Sequence, residues 1–186
     1  MTVPTLVVVS GPPGSGKTTL AHAIAGTLGC PAICRDEIKE GMAHATPGYA
    51  PIPRDPLDYR TLAAFFDVLG LLLRKGVTVV AEAAFQDRLW RPGLEPLADL
   101  AAIRIVRCTV DAAVAHARIV HRVEVDPRRA AHGDRHLLRA LASGSARADA
   151  FVPISLAAPT IHVDTTDGYR PGLPDILSFI DCPPRS

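Results

Sequence analysis

Short apolar runs rich in β-branched residues alternate along the chain with longer amphipathic stretches. This alternation predicts a parallel β-sheet that is covered on both faces by helices. Each run is apolar enough to be buried on both sides. The predicted strands are Thr5–Ser10, Ala32–Arg35, Val77–Ala83, Ile103–Cys108 and Thr160–Asp164. An α/β fold with five strands follows.

The stretches between these strands have the length and the apolar spacing of helices. The predicted helices are Lys17–Leu28, Leu57–Arg74, Asp111–Arg122, Arg135–Ala142 and Pro174–Ile180. In the second of them, four apolar side chains recur at helical spacing and should face the sheet: Leu62, Phe65, Leu69 and Leu72. The segment Asp87–Leu100 is less regular, because Pro92 and Pro96 interrupt any long helix there.

Composition and charge narrow the function classes. The chain has 186 residues, 48% hydrophobic and 21% charged, which is typical of a globular protein and predicts one domain over residues 1–186. The formal net charge of +1 argues against a protein that coats nucleic acid non-specifically. Neither a leader nor a membrane span is recognisable, so a cytoplasmic location is expected.

The four cysteines do not have the spacing of zinc knuckles or of a small disulfide scaffold. They are Cys30, Cys34, Cys108 and Cys182. We therefore expect structural or incidental thiols rather than metal ligands.

The strongest motif is Gly11-Pro12-Pro13-Gly14-Ser15-Gly16-Lys17-Thr18, which fits G-x-x-x-x-G-K-[ST] in full. It follows a predicted strand and opens a predicted helix, which is the context that this phosphate-binding loop requires. Its glycines let successive N–H groups converge on phosphate oxygens, and the following helix adds its positive N-terminal end. These residues, together with Thr19, are predicted to bind ATP.

Two side chains of this P-loop have specific roles. We expect Lys17 to reach the β- and γ-phosphates, and we expect the Thr18 hydroxyl to coordinate the Mg²⁺ that bridges them. A chance glycine-rich turn would need neither the lysine nor the hydroxyl. ATP and Mg²⁺ are thus the predicted cofactors, although phosphate binding does not fix what is done with the phosphate.

Three parts of the sequence resemble the small P-loop kinases close to chloramphenicol phosphotransferase, polynucleotide 5′-kinase and the zeta-toxin-like kinases. They are the P-loop, the segment Cys34-Arg35-Asp36-Glu37-Ile38-Lys39-Glu40, and the arginine-rich segment after the fourth strand. The resemblance spans nearly the whole chain. It implies the three-layer P-loop NTPase fold, with a parallel sheet in the order 2-3-1-4-5, helices on both faces and an arginine-rich lid.

Asp36 is the candidate catalytic base. In such kinases an Asp soon after the second strand accepts the proton of the attacking hydroxyl, and Asp36 matches that place in the order of motifs. The ligand crevice of an open parallel sheet also lies at the carboxyl ends of its strands. The alternative is that Asp36 caps a helix starting at Glu37. The flanking Arg35 and Lys39 either hold an anionic or polar acceptor or are solvated surface cations.

The third predicted strand ends in Ala81-Glu82-Ala83-Ala84-Phe85-Gln86, which places a single acid among apolar residues. A lone buried carboxylate is costly unless it is paired or binds a ligand. We therefore expect Glu82 to bind an acceptor hydroxyl or to support the Mg²⁺ shell through water, and we include Gln86 among the acceptor-binding candidates. The alternative for Glu82 is an ion pair with a nearby arginine.

An arginine-dense segment at about residues 118–139 looks like the lid of a small kinase. Lid arginines close over the triphosphate and stabilise charge on the transferred group. Arg118 and Arg122 are four residues apart, lie on one helical face and are predicted to contact ATP, with Arg122 also acting in catalysis. The alternative is a charged, solvated helix. Nearby histidines, His132 among them, are expected at the surface or in the lid.

The sequence thus predicts an ATP-dependent kinase that phosphorylates a hydroxyl of a small molecule, such as an antibiotic, a nucleoside or a related metabolite. No membrane partner is expected. One alternative is a polynucleotide 5′-hydroxyl kinase, although five Phe, three Tyr and one Trp offer few surfaces for base stacking. Another is a non-catalytic ATP-dependent switch or interaction module, which would tolerate loss of the Asp36 carboxylate.

Overall fold

The strands of the computed structural model form one parallel sheet. The structure describes residues 3–52, 55–126, 131–132, 138–139 and 151–181. The described strands are β1 (Thr5–Ser10), β2 (Ala32–Cys34), β3 (Val79–Ala83), β4 (Ala102–Thr109) and β5 (Thr160–Asp164). Their order across the sheet is β2-β3-β1-β4-β5, and every pairing is parallel. The order that the resemblance implied is confirmed.

Helices cover both faces of this sheet. Those described are α1 (Lys17–Leu28), α2 (Arg35–His44), α3 (Pro56–Arg74), α4 (Asp87–Leu94), α5 (Ala112–Val125) and α6 (Leu173–Asp181). Successive residues of a strand point to opposite faces. Leu6 and Val8 of β1 accordingly join the buried cluster of α3 and α4, whereas Val7 and Val9 join that of α1 and α6. The predicted layers are confirmed.

Strand register brings three functional segments to one edge of the sheet. Val9 of β1 pairs with Glu82 of β3, and Glu82 pairs with Cys34 of β2. The P-loop follows β1, and α2 follows β2 directly. The P-loop, the Glu82 carboxylate and the first turn of α2 therefore lie at neighbouring strand ends.

The junction between β2 and α2 differs from the prediction. β2 ends at Cys34, one residue early, and α2 begins at Arg35 with Cys34 as its N-cap residue. Asp36 therefore lies in the first helical turn, where a carboxylate is stabilised by the helix dipole. The alternative that Asp36 caps a helix starting at Glu37 is wrong.

β3 begins at Val79 rather than at Val77 because the preceding residues close α3. Gly76 has a φ of 76°, and its N–H binds the carbonyl of Leu73 at 2.9 Å. The N–H of Val77 binds the carbonyl of Leu72 at 3.0 Å. This pair of hydrogen bonds is a Schellman motif, so Val77 ends the helix instead of pairing in the sheet.

Two further segments bear on the predicted helices. Pro92 lies inside α4, which is followed by a short 3₁₀ turn at Glu95–Leu97. Trp90 is fully buried, and its packing holds this short helix in spite of the proline. The predicted helix Arg135–Ala142 lies largely outside the described residues.

No helix among the described residues has both the length and the apolar character that crossing a membrane demands.

Candidate functional site

The P-loop packs closely on the first turns of α5. Gly14 has a φ of 79°, a backbone conformation that favours glycine. A Cβ atom at this position would lie 2.6 Å from the carbonyl oxygen of Ala115. The Ser15 hydroxyl is buried and has no hydrogen-bond partner in the described part of the chain. The loop thus combines a tight backbone path with an unsatisfied hydroxyl, which fits a phosphate-binding cradle.

Lys17 and Thr18 meet the same carboxylate, that of Glu82. Lys17 Nζ donates a hydrogen bond to the Pro12 carbonyl at 3.0 Å and lies 3.9 Å from Glu82 Oε1. The Thr18 hydroxyl donates to Glu82 Oε2 at 3.1 Å. Glu82 is therefore paired with a lysine of the P-loop rather than with an arginine, which corrects the alternative considered for it.

The electrostatics of Glu82 suit a cation. Burial raises the pKa of its carboxyl; Lys17 and the Thr18 hydroxyl oppose the shift, and Asp36 and Glu37 add to it. Carboxylate and hydroxyl oxygens are ligands that Mg²⁺ prefers. The Thr18 hydroxyl and the Glu82 carboxylate would thus hold Mg²⁺ at the P-loop, and this ion would bring charge stabilisation to a bound nucleotide.

Arg118 and Arg122 occupy successive turns of α5. The Arg118 guanidinium donates to the carbonyls of Thr165 at 2.8 Å, Thr166 at 3.2 Å and Gly14 at 3.4 Å. Arg118 thus joins the P-loop to the loop after β5. Arg122 lines the cavity beside the P-loop. Residues 127–130 and 133–137 of the predicted lid lie outside the described residues.

A cavity of about 500 Å³ opens beside the P-loop. Its walls carry both signs of charge together with an apolar surface. The lining residues are Pro13, Lys17, Thr18, Arg35, Asp36, Lys39, Asp58, Tyr59, Leu62, Glu82, Ala84, Phe85, Arg88, Leu89, Arg122 and His132. This volume is typical of sites for small molecules.

Asp36 stands between a cation and an imidazole on the wall of this cavity. Its Oδ1 lies 3.2 Å from Arg35 Nη1 and 3.8 Å from His132 Nδ1. The side chain is 39% exposed, so a ligand can reach the carboxylate. Asp36 is therefore open to the cavity and close to the side chains of Arg35 and His132.

Asp58 connects two cations of α2 to α3. Arg35 Nη2 and Lys39 Nζ both donate to Asp58 Oδ1, the latter at 2.8 Å. Lys39 Nζ also lies 3.4 Å from Asp55 Oδ2, and its side chain is only 4% exposed. The alternative of a solvated surface cation is therefore wrong for Lys39. Arg35 is partly buried, and its guanidinium lies 6.0 Å from the centre of the Phe85 ring.

Hydrogen bonds keep Asp55 and Asp58 ionised. For Asp55, burial acts to raise the pKa, but hydrogen bonds from Tyr49, the Leu57 N–H and Lys39 outweigh it and lower the pKa. For Asp58, burial again acts to raise the pKa, and Lys39 and Arg35 lower it overall. Both carboxylates are therefore fixed anions that hold the cations of α2 in place.

His132 was expected at the surface or in the lid; the structure buries it against α2, so the surface position is wrong. Its side chain is 5% exposed, and Nε2 lies 3.0 Å from Glu40 Oε1. The carbonyl of the preceding Ala131 accepts a hydrogen bond from the Tyr49 hydroxyl at 3.4 Å. Residues 131–132 thus contact the side of the cavity that carries Asp36, and no local pattern in the sequence signals this contact.

The family comparison decides what kind of protein carries this site. A family model described as an AAA domain matches residues 6–145, more than half of the chain. The chain belongs to the AAA domain family. The matched range includes the P-loop, Asp36, Glu82 and Arg122. No curated protein matches the sequence.

Solved structures share the fold of this AAA domain. A candidate kinase from Chloroflexus aurantiacus is 25% identical with a TM-score of 0.76, over 89% of this chain and 90% of that one. A sugar kinase from Janibacter sp. is 21% identical with a TM-score of 0.61, over 98% and 97%. The APS kinase of Mycobacterium tuberculosis, solved with AMPPNP and APS, is 15% identical with a TM-score of 0.62, over 96% and 98%. The AAA domain therefore has the fold of the small P-loop kinases.

The cavity of the AAA domain brings together most of the site residues predicted outside the loop backbone. They are Lys17, Thr18, Arg35, Asp36, Lys39, Glu82 and Arg122. Gln86 does not line it; its carbonyl accepts the N–H groups of Leu89 and Trp90 at the start of α4. Thr19 is exposed on α1 and does not line it either. Asp58, Tyr59 and Arg88 also line the cavity and were not predicted.

Proposed function

We propose that this AAA domain is a kinase that uses Mg²⁺-ATP to phosphorylate a hydroxyl group of a small molecule. The observation that carries the proposal is the shared cavity. Lys17 and Thr18 of the P-loop line the same cavity as Asp36, whose carboxylate is open to ligands. A carboxylate that faces the phosphate cradle is what proton removal from an acceptor requires.

The chain's own groups divide the work of the proposed reaction. Bound Mg²⁺-ATP supplies the phosphoryl group. Lys17 and Arg122 stabilise negative charge at the P-loop side of the cavity, and the Thr18 hydroxyl with the Glu82 carboxylate would hold Mg²⁺. Asp36 accepts the proton of the acceptor hydroxyl at a carboxylate oxygen. Arg35, which shares a contact with Asp36, orients that carboxylate.

The size and the walls of the cavity favour a small acceptor. About 500 Å³ is enough for a metabolite but not for a folded macromolecule. Leu62, Phe85 and Leu89 add apolar surface to a lining that also carries charged groups. An acceptor with an apolar face and at least one hydroxyl matches this combination. Binding through its apolar face would leave the hydroxyl free to approach Asp36.

A screen with γ-labelled ATP tests the proposal. The intact protein, Mg²⁺ and labelled ATP are incubated with separate panels of sugars, nucleosides, hydroxylated antibiotics and 5′-hydroxyl oligonucleotides, and products are identified by mass. We expect a phosphorylated small molecule whose formation requires Asp36. Transfer confined to the oligonucleotides would favour a polynucleotide 5′-kinase. Tight ATP binding without transfer to any panel would favour a switch or interaction module.

A further inference from the structure

Outside the cavity, the described residues contain one cluster of three side chains that could hold a metal ion. It consists of His22 on α1, Cys34 at the end of β2 and Glu37 on α2. The ligand atoms of the three residues all lie within 4.8 Å of one another. His22 Nε2 is 2.7 Å from Glu37 Oε1 and 3.7 Å from Cys34 Sγ.

We propose that His22, Cys34 and Glu37 form a binding site for a divalent transition-metal ion, with Zn²⁺ as the best match. Thiolate, imidazole and carboxylate are the ligand types that Zn²⁺ binds in proteins, and water can fill a fourth, tetrahedral position. Mg²⁺ prefers oxygen ligands, so this site differs in chemistry from the one at Thr18.

The observed distances are close to those of a tetrahedral site. With Zn–S near 2.3 Å and Zn–N near 2.0 Å, sulfur and nitrogen ligands stand roughly 3.5 Å apart. The distance from Cys34 Sγ to His22 Nε2 is 3.7 Å. The contact between His22 and Glu37 is shorter, at 2.7 Å, and would have to lengthen around an ion. Both side chains are about half exposed, at 50% and 48%, so they have room to adjust.

The fold explains why these residues meet. Cys34 and Glu37 are three residues apart across the start of α2, so they share one side of its first turn. Cys34 is 1% exposed and forms the inner wall, whereas His22 and Glu37 form the outer rim. An ion can therefore enter from solvent on the rim and keep a water ligand there.

The electric field at the cluster also favours a cation. Burial raises the pKa of the Cys34 thiol, and the carboxylates of Glu82, Glu37 and Asp36 raise it further. Negative charges that disfavour a bare thiolate attract a divalent ion, and the bound ion in turn favours the thiolate.

An ion at this site would connect α1, which begins in the P-loop, to the first turn of α2, which carries Asp36. The expected consequence is a more rigid junction between β2 and α2. This consequence is structural and does not depend on the proposed kinase activity.

Absorption spectroscopy with Co²⁺ tests the site directly. The full chain is stripped with a chelator, saturated with Mg²⁺ and titrated with Co²⁺. We expect one Co²⁺ per chain, with visible bands of tetrahedral Co²⁺ and a near-ultraviolet thiolate-to-metal band that Zn²⁺ abolishes by displacement. Cys34→Ser should lose the thiolate band, whereas Cys30→Ser, which changes a free thiol outside the cluster, should keep it.

A second variant and a second measurement test the proposal even if Cys34→Ser fails to fold. His22→Gln changes an exposed residue and should weaken Co²⁺ binding at least about tenfold, the low end of what even outer-shell losses cost. Zn²⁺ should raise the Tm of the wild type relative to chelator, and this rise should disappear in His22→Gln. A wild type without a thiolate band, or a band that survives in Cys34→Ser, would overturn the proposal.

Discussion

The two halves of the candidate site, a proposed nucleotide half and a proposed acceptor half, are built from different atoms. The nucleotide half, comprising the P-loop and Arg118, relies on the backbone: Lys17 binds the Pro12 carbonyl and Arg118 binds the Gly14 carbonyl. In the acceptor half, comprising Arg35, Asp36, Lys39, Asp55 and Asp58, side chains mainly bind other side chains. Backbone groups are present in every sequence, whereas a side-chain network exists only where each partner is encoded. The first half therefore suits a common ligand, and we expect the second half to determine which acceptor fits.

The halves also differ in how their cations are engaged. Among the described residues, Lys17 lies near one carboxylate, that of Glu82, at 3.9 Å. Lys39 has two, with Asp58 at 2.8 Å and Asp55 at 3.4 Å. A bound phosphate group would thus meet a lysine that is only weakly paired, whereas an acceptor would meet cations already held by carboxylates. Substitutions in the two halves should consequently change different kinetic constants.

Within the nucleotide half, the largest effect is expected from Lys17→Ala. Loss of this charge should weaken ATP binding and lower turnover by about 10²- to 10³-fold, because charge on the transferred group loses its main cation. Calorimetry with ATP and a turnover assay measure both quantities. Lys75→Ala, at an exposed position after α3, is the matched control. If Lys17→Ala left both affinity and turnover unchanged, the P-loop assignment itself would fail.

A smaller effect is expected from substituting the two arginines of α5 that lie beside the nucleotide half. Arg122→Ala should lower turnover by about 10²-fold with little change in the Kd for ATP, if its guanidinium meets charge mainly in the transition state. Arg118→Ala should do the opposite, because Arg118 holds the backbone of the P-loop and of the loop after β5. Calorimetry gives the Kd for ATP, and a turnover assay gives kcat, for both variants. The reverse pattern would show that Arg118 is the catalytic arginine.

In the acceptor half, Asp58→Asn should raise the acceptor KM about tenfold, because two charge-assisted hydrogen bonds to Arg35 and Lys39 are weakened. The Kd for ATP should not change. Asp67→Asn, an exposed position on the same helix, is the control. Steady-state kinetics with the identified acceptor check the result. A change in ATP affinity instead would mean that the two halves are not separable in this way.

The smallest effect concerns acid stability. The pKa values of Asp55 and Asp58 are lowered in the folded chain, so their stabilising contribution is present above the ordinary Asp pKa of about 4 and is lost as the pH falls through the folded values. The free energy of unfolding should decline below about pH 4. Asp55→Asn should already cost about 1–3 kcal/mol at pH 7 and should decline less on acidification. Urea denaturation at pH 7 and below pH 4 compares the two proteins.

The nucleotide half was predictable because its residues are contiguous. Strand, glycine-rich turn, lysine and hydroxyl follow one another in Gly11–Thr18, so one local pattern identifies the cradle. The strand positions were also readable from apolar runs, with errors of one or two residues where a helix cap competed for backbone groups, as at Val77. The sheet order came from the family resemblance, since strand periodicity carries no information about neighbours.

The acceptor half was only partly predictable because its contacts join distant segments. Asp58 lies 19 residues from Lys39 and His132 lies 92 residues from Glu40, and no spacing rule connects such pairs. In a sequence, an Asp in the first turn of a helix is already explained by its favourable interaction with the helix dipole. Its ion pairs with distant residues are therefore not apparent. Gln86 was predicted to bind the acceptor because it follows the end of a strand. It is instead the N-cap residue of α4, and its carbonyl accepts hydrogen bonds from that helix.

The central claim is that Asp36 removes a proton from an acceptor hydroxyl, and Asp36→Asn tests it most directly. The amide keeps the size of the side chain but cannot accept the proton. We predict that kcat falls by about 10²- to 10⁴-fold while the Kd for ATP and the Tm stay nearly unchanged. Near-full turnover in Asp36→Asn, with Lys17→Ala inactive in the same assay, would contradict this account and would make Glu82 the next candidate for the base.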